Sequence, residues 1–253
     1  MNSHLSERIK NYYFKNRAKL FESRVFELLG GNHFISFTFD DFPRSAYLTG
    51  GAILKKYKIR ASYYASLGLM GKESPVGTIF SLEDIKKIVQ DGHEVGCHTY
   101  DHFDAWETRP FAFEESILRN QEALRKLIPE ISLKTMSYPK REPHPGVKRI
   151  SAKHFQCCRG GGQTFNFGKL DLNLIKSCFI DKINKENLAT LKGLIDRNRV
   201  RRGWLVFSTH DIRHSPSRFG CEPDYFEEIV RYSVDSGAII LPVCEVYSVI
   251  VRS

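Results

Sequence analysis

Two adjacent carboxylates, Asp40 and Asp41, end the apolar stretch Phe34–Phe39. The alternating aromatic and β-branched residues of that stretch predict a buried strand. The strand should stop at the aspartates and the following Pro43, because neither residue type continues a core ladder. Two neighbouring carboxylates repel one another, and a cation beside them would relieve the repulsion. The pair therefore directs attention to residues that could bind a cation.

Two histidines, His98 and His102, stand four residues apart directly after a second predicted strand, His93–Cys97. On a helical turn such residues share a face, with Cβ atoms about 5–6 Å apart. That spacing suits two imidazoles on one metal ion, although a lone pair of this kind can equally be surface or capping residues. With one of the two aspartates it predicts a three-ligand site that leaves a position open for water. The other aspartate can stay ionised and act as a base toward that water.

A third histidine, His210, ends the apolar strand predicted over Gly203–Thr209. In that position it could act as a general acid toward a leaving amine or alkoxide. A purely structural histidine is the simpler alternative for this residue taken alone. Asp211 beside it could orient a neighbouring group.

The wider pattern alternates strands with helices. The predicted strands are Phe34–Asp41, Arg60–Ala65, His93–Cys97, Leu133–Tyr138, His154–Cys158, Leu174–Ile180, Gly203–Thr209 and Ala238–Leu241. The predicted helices are Tyr47–Tyr57, Ser81–Gln90, Pro110–Leu127, Glu186–Asn198, Pro223–Asp235 and Val243–Val251. This alternation implies a parallel sheet covered by helices, and seven or eight strands in about 220 residues favour a closed βα barrel. The glycine run Gly160–Gly162 lacks the lysine of a phosphate-binding loop and is predicted to be an ordinary loop.

A barrel of this kind carries its chemistry at the carboxyl ends of its strands. The polar residues expected there are Asp40-Asp41, His98 through His102, Tyr138 to Arg141, Arg159 and His210-Asp211. They come from distant parts of the chain, yet the fold should bring them together on one face.

Residues 5–29 have helical spacing of apolar residues with charges between them, and Gly30-Gly31 follow. They predict an amphipathic helix, or a broken pair of helices, that packs on the outside of the domain; its basic face leaves membrane association open. We expect this extension over residues 1–31 and a single main domain over 32–253. No apolar run reaches the length of a membrane span, and the first thirty residues lack a signal-like apolar region. We therefore expect a cytoplasmic protein, with peripheral membrane contact as an option.

The chain has 38 basic and 29 acidic residues, a net charge of +9. Apart from the cluster Arg197–Arg202 the basic residues are scattered, which is most simply a solvated surface. No nucleic-acid motif accompanies them, so we expect no nucleic-acid partner, whereas an anionic glycan carrier or a membrane surface stays open. The six cysteines lack both zinc spacing and a disulfide framework, and reduced thiols fit a cytoplasmic setting.

Three short motifs carry a family resemblance. They are T-F-D-D (Thr38–Asp41), H-T-Y-D-H (His98–His102) and S-T-H-D (Ser208–Asp211), in that order and separated by βα units. With them the chain resembles the polysaccharide deacetylases, the NodB-homology group or carbohydrate esterase family 4, over residues 32–249. The resemblance implies a distorted (β/α)7 TIM-like barrel that removes the acetyl group from an N-acetylated sugar or polysaccharide precursor.

The resemblance also implies a role for each matching residue. Asp40 corresponds to the catalytic base, and His210 corresponds to the catalytic acid. Asp41, His98 and His102 correspond to the ligands of a divalent metal. Zinc suits that ligand set best, and cobalt, nickel or iron could also occupy it.

The middle motif departs from the family pattern. Where relatives usually have Arg-x-Pro-x-Gly, this chain reads S-Y-P-K-R, so Ser137 stands in place of the arginine that tethers the base. We predict that Arg159, at the end of the next strand, takes over this role, with Arg141 as the alternative. The backbone N–H of Lys140 corresponds to an oxyanion donor. The residues of this stretch predicted to bind substrate are Tyr138, Pro139, Lys140 and Arg141.

Two hypotheses about function follow. The first is a deacetylase of an N-acetylated glycan or a carrier-linked sugar. The second keeps the barrel and its metal site for another purpose, either hydrolysis of a non-sugar linear C–N bond or glycan binding without catalysis. The presence of a base, three ligands and an acid together favours the first.

Overall fold

The computed structural model of the protein describes residues 12–13, 16–29, 31–184 and 186–252. Its strands are β1 (Val25–Leu28), β2 (Phe34–Phe39), β3 (Ser62–Ala65), β4 (Glu73–Ser74), β5 (Gly77–Thr78), β6 (Glu94–Cys97), β7 (Thr135–Ser137), β8 (Cys157–Gly162), β9 (Gly168–Asp171), β10 (Ile175–Phe179), β11 (Trp204–Thr209) and β12 (Ile239–Ile240). Its α-helices are Ala52–Lys56, Leu82–Gln90, Pro110–Leu127, Pro145–His154, Leu188–Arg201, Pro223–Asp235 and Val243–Arg252.

Seven parallel strands form a closed barrel. Around it the order is β11, β10, β8, β7, β6, β3 and β2, and every neighbouring pair is parallel. The barrel closes because β11 also pairs with β2, in register from Trp204↔Phe34 to Thr209↔Phe39. The predicted α/β barrel is thus confirmed, and the carboxyl ends of all seven strands face the same way.

The eighth strand of the sheet, β12, distorts the barrel at the end where its strands begin. Short β12 pairs with the beginning of β2, at Phe34 and Ile35, whereas β3 pairs with its end, at Thr38 and Phe39. Since β11 occupies the other edge of β2 along its whole length, β12 and β3 share one edge. Near their amino ends β2 and β3 therefore do not pair with each other, because β12 occupies that part of the shared edge. Near their carboxyl ends they pair directly, and the barrel is closed there.

Side chains alternate along each barrel strand between the helix-covered outer face, which forms a hydrophobic core, and the lumen of the barrel. Phe37 of β2 packs against Phe226 of a covering helix, with ring centroids 5.7 Å apart. Thr38 turns the other way, and its Oγ1 lies 2.6 Å from Ser208 Oγ of β11. Since side chains alternate with a period of two, the next lumen-facing residue after Thr38 is Asp40.

The amino-terminal segment differs from the predicted helix. Residues 16–20 are helical, but Val25–Leu28 form β1, which pairs antiparallel with β9 and helps to close the amino end of the barrel. Helical spacing could not reveal this strand, because the paired residues of β9 lie 140 to 146 positions further along the chain. Residues 1–11, 14–15 and 30 lie outside the described part of the chain, and the division at residue 31 stays a prediction.

Two further local predictions were wrong. The helix Pro145–His154 was not predicted, and it includes His154, which we had expected in a strand. Gly160–Gly162 belong to β8 and are not a loop. A Cβ at position 160 would lie 2.6 Å from Glu142 Oε2 and 2.6 Å from Leu174 Cδ1, so a larger residue there would require these side chains to move.

All six cysteines are free thiols, and five of them are buried. Among the helices of the described residues, none combines the length and the apolar character needed to cross a membrane.

Candidate active site

Three side chains at the carboxyl end of the barrel form a candidate metal centre. Asp41 Oδ1 lies 3.0 Å from His102 Nε2 and 3.4 Å from His98 Nε2. One ligand atom from each of the three residues lies within 4.8 Å of the others. These are the three residues predicted to be metal ligands, and the fold brings them together.

The hydrogen bonds around His98 show that this centre fits a cation. His98 Nδ1 lies 2.8 Å from the carbonyl oxygen of Ser137. A carbonyl only accepts hydrogen bonds, so Nδ1 carries a proton, and in the neutral form of the ring Nε2 would present a lone pair. That lone pair faces Asp41 Oδ1, a buried oxygen without a hydrogen-bond partner in the described chain. A divalent cation between them would satisfy both atoms, and oxygen and imidazole are suitable ligands for it.

The path of the chain between the two histidines differs from our expectation. Residues 98–102 form a loop and not a helical turn. Thr99 and His102 adopt positive φ angles of 58° and 53°, which turn the loop back so that the His98 and His102 rings lie 5.1 Å apart. Asp101 points away and accepts a hydrogen bond from Ser116 Oγ over 2.8 Å.

Strained backbone is concentrated in the segments that carry the candidate site. Nine non-glycine residues of the described chain have positive φ, and five of them lie here: Asp41, Phe42, Thr99, His102 and Lys140. Such conformations cost energy and persist where the surrounding structure enforces them, which is common at functional sites. At Asp41 the turn breaks the alternation of β2, so that Asp40 faces the lumen while Asp41 faces the histidines.

Asp40 forms an ion pair with Arg159 across the lumen. Both residues are buried, at 4% and 1% exposure, and Arg159 Nη2 donates to Asp40 Oδ1. Burial raises the pKa of Asp40, but the charges of Arg159, His98 and His210 outweigh it and leave that pKa below its ordinary value. Asp40 is therefore ionised at neutral pH.

Asp41 is ionised for a similar reason. Burial opposes the charged form, but the adjacent imidazoles of His102 and His98 hold the pKa of Asp41 well below its usual range. The two carboxylates can both stay charged because the Arg159 guanidinium lies against Asp40 and the imidazoles of His102 and His98 lie against Asp41.

Arg159 is the arginine that reaches Asp40, and Arg141 is not. The guanidinium of Arg141 binds Asp104 over 2.8 Å and Glu107 over 2.6 Å, outside the lumen. Arg159 extends from β8, the neighbour of β7, where Ser137 occupies the matching position in register. The ion pair expected from the sequence therefore forms with an arginine from the adjacent strand.

His210 lies on the other side of the candidate metal centre. Its Nε2 is 4.0 Å from Asp41 Oδ2, and its Nδ1 is 3.2 Å from the carbonyl oxygen of Phe219. Asp211 shapes the loop that presents this carbonyl, since it accepts hydrogen bonds from Ser217 N over 2.7 Å and Ser217 Oγ over 2.5 Å. The partner of His210 is thus a main-chain atom, and no side-chain motif could have identified it.

The stretch after β7 divides into buried and exposed residues. Tyr138 is buried and its hydroxyl donates to Asn173 O over 3.1 Å, while the residue also lines the cavity described below, so its predicted contact with substrate stays a prediction. Pro139 is also buried. Lys140 is exposed, has a φ of 63°, and its N–H donates no hydrogen bond that the described chain contains. Lys140 and Arg141 border a cavity.

That cavity, of about 520 Å³, is lined in part by Arg159, the partner of Asp40. The strand Gly160–Gly162 forms one wall, and Glu142 packs on it by accepting a hydrogen bond from Gly161 N over 3.2 Å. Lys140 and Arg218 place two cationic side chains around it. Its size lies in the range of small-molecule binding sites, and several polar and charged side chains line it.

Comparison with known proteins agrees with these features. Residues 30–154 match the family model described as polysaccharide deacetylase. A curated peptidoglycan-N-acetylglucosamine deacetylase of Bacillus cereus is 26% identical over 107 residues, which cover 42% of this chain and 46% of that protein. The match thus spans less than half the length of this curated relative.

Solved structures share the fold. A family 4 acetyl xylan esterase of Clostridium thermocellum, solved in complex with a cobalt ion, is 18% identical with a TM-score of 0.60, and the match covers 85% of this chain and 91% of the esterase. A family 4 pseudoenzyme of Bacillus anthracis is 12% identical with a TM-score of 0.61, covering 86% of this chain and 66% of that one. From its motifs, its barrel and the family match, this chain belongs to the polysaccharide deacetylase family, carbohydrate esterase family 4.

Proposed function

We propose that the chain is a metal-dependent N-deacetylase, which hydrolyses the acetamide of an N-acetylated sugar or glycan to a free amine and acetate. The observation that carries the proposal is an ionised Asp40 next to the ligand set Asp41, His98 and His102. Two carboxylates side by side are costly when one, Asp40, is buried and the other, Asp41, is partly buried. They become useful when one binds a cation and the other accepts a proton.

Asp41, His98 and His102 would hold the cation. A divalent metal there would supply Lewis acidity toward the acetyl carbonyl and make a water more acidic. Zinc fits two imidazoles and one carboxylate best, with cobalt, nickel or iron as alternatives. The remaining steps fall to the residues around these ligands.

Asp40 is the proposed base. Its carboxylate is already charged at neutral pH and is fixed by Arg159, so it can take a proton from the attacking water without first being reoriented. The resulting neutral carboxylic acid would stay hydrogen-bonded to the guanidinium.

The Lys140 N–H is the proposed donor to the oxyanion that forms when water adds to the acetyl carbon. It has no acceptor in the described chain and borders the same cavity as Arg159. A donor that is aimed before the reaction stabilises developing charge without reorganisation.

His210 is the proposed acid. Its Nδ1 points to the carbonyl of Phe219, which leaves Nε2 directed toward the site. A protonated His210 would give its Nε2 proton to the nitrogen of the sugar as the C–N bond breaks. One proton thus moves from water to Asp40 and one from His210 to the amine. The acetyl group leaves as acetic acid, which gives its proton to the amine or to solvent and becomes acetate, and Asp40 then loses its proton and His210 regains one through solvent.

The substrate we propose is an N-acetylated glycan or a carrier-linked sugar bound in the cavity beside Lys140 and Arg218. The carbohydrate nature of the substrate rests on the family and on the deacetylase activity for which the Bacillus cereus relative is named. The two cationic side chains would also accept a glycan that carries carboxylate or phosphate groups.

A barrel that binds glycans without catalysis is the second candidate, because the fold is shared with a pseudoenzyme. Release of acetate separates the two functions. Purified full-length chain would be incubated with N-acetylglucosamine oligomers and with lipid-linked N-acetylated sugars, before and after chelation and after zinc is restored. We expect acetate release that disappears with chelator and returns with metal. Binding of the same oligomers without acetate would support the second candidate.

A further inference from the structure

Ser137, at the end of β7, touches both halves of the candidate site. It is buried, at 1% exposure. Its hydroxyl accepts a hydrogen bond from Arg159 Nη2, the same nitrogen that binds Asp40. Its carbonyl oxygen accepts a hydrogen bond from His98 Nδ1 over 2.8 Å. One residue therefore contacts the partner of the proposed base and one proposed metal ligand.

The strand register explains this position. Ser137 and Arg159 are directly paired in the parallel β7–β8 ladder, so their side chains leave the barrel wall at the same level. Arg159 extends from β8 past Ser137 to reach β2 on the far side of the lumen. Because Nη2 already lies within hydrogen-bond distance of Ser137 Oγ, a side chain much larger than serine would occupy the space of the guanidinium.

The remaining contacts of Arg159 make the serine hydroxyl important. Nη1 donates to Ser177 Oγ over 3.1 Å and to the carbonyl of Gly160 over 3.3 Å. Nη2 has two N–H groups, and the acceptors found for them are Asp40 Oδ1 and Ser137 Oγ. Nε has no hydrogen-bond partner among the described residues. The orientation of the two Nη2 N–H groups therefore depends on their own acceptors. Ser137 Oγ accepts from one of them, and Asp40 Oδ1 accepts from the other.

We propose that Ser137 is a positioning residue of the proposed deacetylase. Its hydroxyl directs Arg159 onto Asp40, and its carbonyl sets the tautomer of His98, so that base and metal ligand are held from one point on β7. The kinetic consequence of this inference rests on the proposed function.

The two contacts are separable by substitution. Ser137→Ala removes the hydroxyl and keeps the carbonyl. We expect kcat to fall about 10- to 100-fold, the size of effect that loss of a hydrogen bond to a charged group produces. We expect KM to change less than about threefold and zinc affinity to stay the same, because the contact to His98 remains. Ser177→Ala is the matched control, since it also removes a hydroxyl from Arg159 but from Nη1; its loss of kcat should be smaller.

A double-mutant cycle with Arg159→Ala tests whether the hydroxyl acts through the arginine. In the Arg159→Ala background, adding Ser137→Ala should change kcat by less than about twofold. Full multiplication of the two separate losses would overturn the inference, as would a Ser137→Ala variant that keeps its kcat or one that loses zinc together with kcat.

A crystal structure of the Ser137→Ala variant would give a readout that does not depend on turnover. The inference predicts that the Arg159 guanidinium rotates or moves away from Asp40. An unchanged Asp40–Arg159 contact would overturn the positioning role. If the unmodified chain releases no acetate from any substrate, the proposed function fails, and this structure still decides the role of Ser137.

Discussion

Removal of the Arg159 side chain is the most informative single perturbation of this site. Arg159→Ala leaves Asp40, at 4% exposure, without the cation that lies against its Oδ1. One charge-assisted hydrogen bond contributes about 1.5–3 kcal/mol, which corresponds to a loss of kcat of roughly 10- to 150-fold. The stability effect should be larger, about 3–5 kcal/mol, because a buried charge is left uncompensated.

The assay measures initial rates of acetate release at saturating substrate, together with the urea midpoint of each variant. Arg141→Ala is the comparison, because the sequence offered both arginines as partners of the base. Arg141 is bound to Asp104 and Glu107 and does not contact Asp40. We expect Arg141→Ala to change KM, since the residue borders the cavity, but to keep kcat within about threefold.

A second substitution separates stability from chemistry. In Arg159→Ala/Asp40→Asn the buried position no longer carries a charge, so the double variant should be more stable than Arg159→Ala alone. It should remain inactive, because the proposed base is gone. Wild-type kcat in Arg159→Ala, or loss of kcat in Arg141→Ala alone, would refute the assignment of Arg159 as the partner of Asp40.

Three other predictions follow from the same contacts. His98→Ala should lose bound metal by elemental analysis while the fold, followed by circular dichroism, is kept; unchanged metal content would contradict its role as a ligand. His210→Ala should keep its metal and lose about 100-fold or more in kcat, within the usual range for general acid catalysis; a kcat equal to wild type would remove His210 from the mechanism. Asp84→Asn should lower stability at pH 7 by about 1 kcal/mol, because Asp84 accepts hydrogen bonds from Ser81 N and Arg44 at the start of the helix Leu82–Gln90. Burial raises the pKa of Asp84, but these hydrogen bonds outweigh it and leave the pKa lowered, so the stabilisation is present above the ordinary carboxyl pKa and is lost as the pH falls through the lowered one. The difference in urea midpoint between wild type and Asp84→Asn should therefore shrink toward pH 3, and a constant difference would refute the electrostatic explanation.

Some features of the site depend only on the two-residue alternation of side chains along a strand and on where each strand ends. These features could be predicted from the sequence. The alternation in Phe34–Phe39 placed Asp40 and Asp41 at the end of a buried strand, and the barrel topology brought His98, His102 and His210 to the same end. These predictions succeed because side-chain direction along a strand is a local property, and parallel strands share one carboxyl end.

Features that depend on long-range pairing or on loop conformation could not be predicted in this way. Strand β1 forms only because β9 is available as its partner. The approach of His98 and His102 depends on positive φ angles in a loop, where the sequence suggested a helical turn. The main-chain partner of His210, Phe219 O, has no residue type by which it could be recognised.

The position of Arg159 lies between these cases. The sequence showed that the usual arginine was replaced by Ser137 and named Arg159 as a candidate. Only the register Ser137↔Arg159 explains why an arginine on the neighbouring strand reaches the same carboxylate.

The most direct test of the proposed deacetylase compares the wild-type chain with Asp40→Asn at equal zinc content. Acetate and free amine are counted together on N-acetylglucosamine oligomers. We expect the wild type to release acetate and amine in a 1:1 ratio, and Asp40→Asn to bind the same amount of zinc with at least about a 100-fold lower rate. Equal rates for the two zinc-loaded proteins, or amine-free oligomers after prolonged incubation with the wild type, would contradict the account.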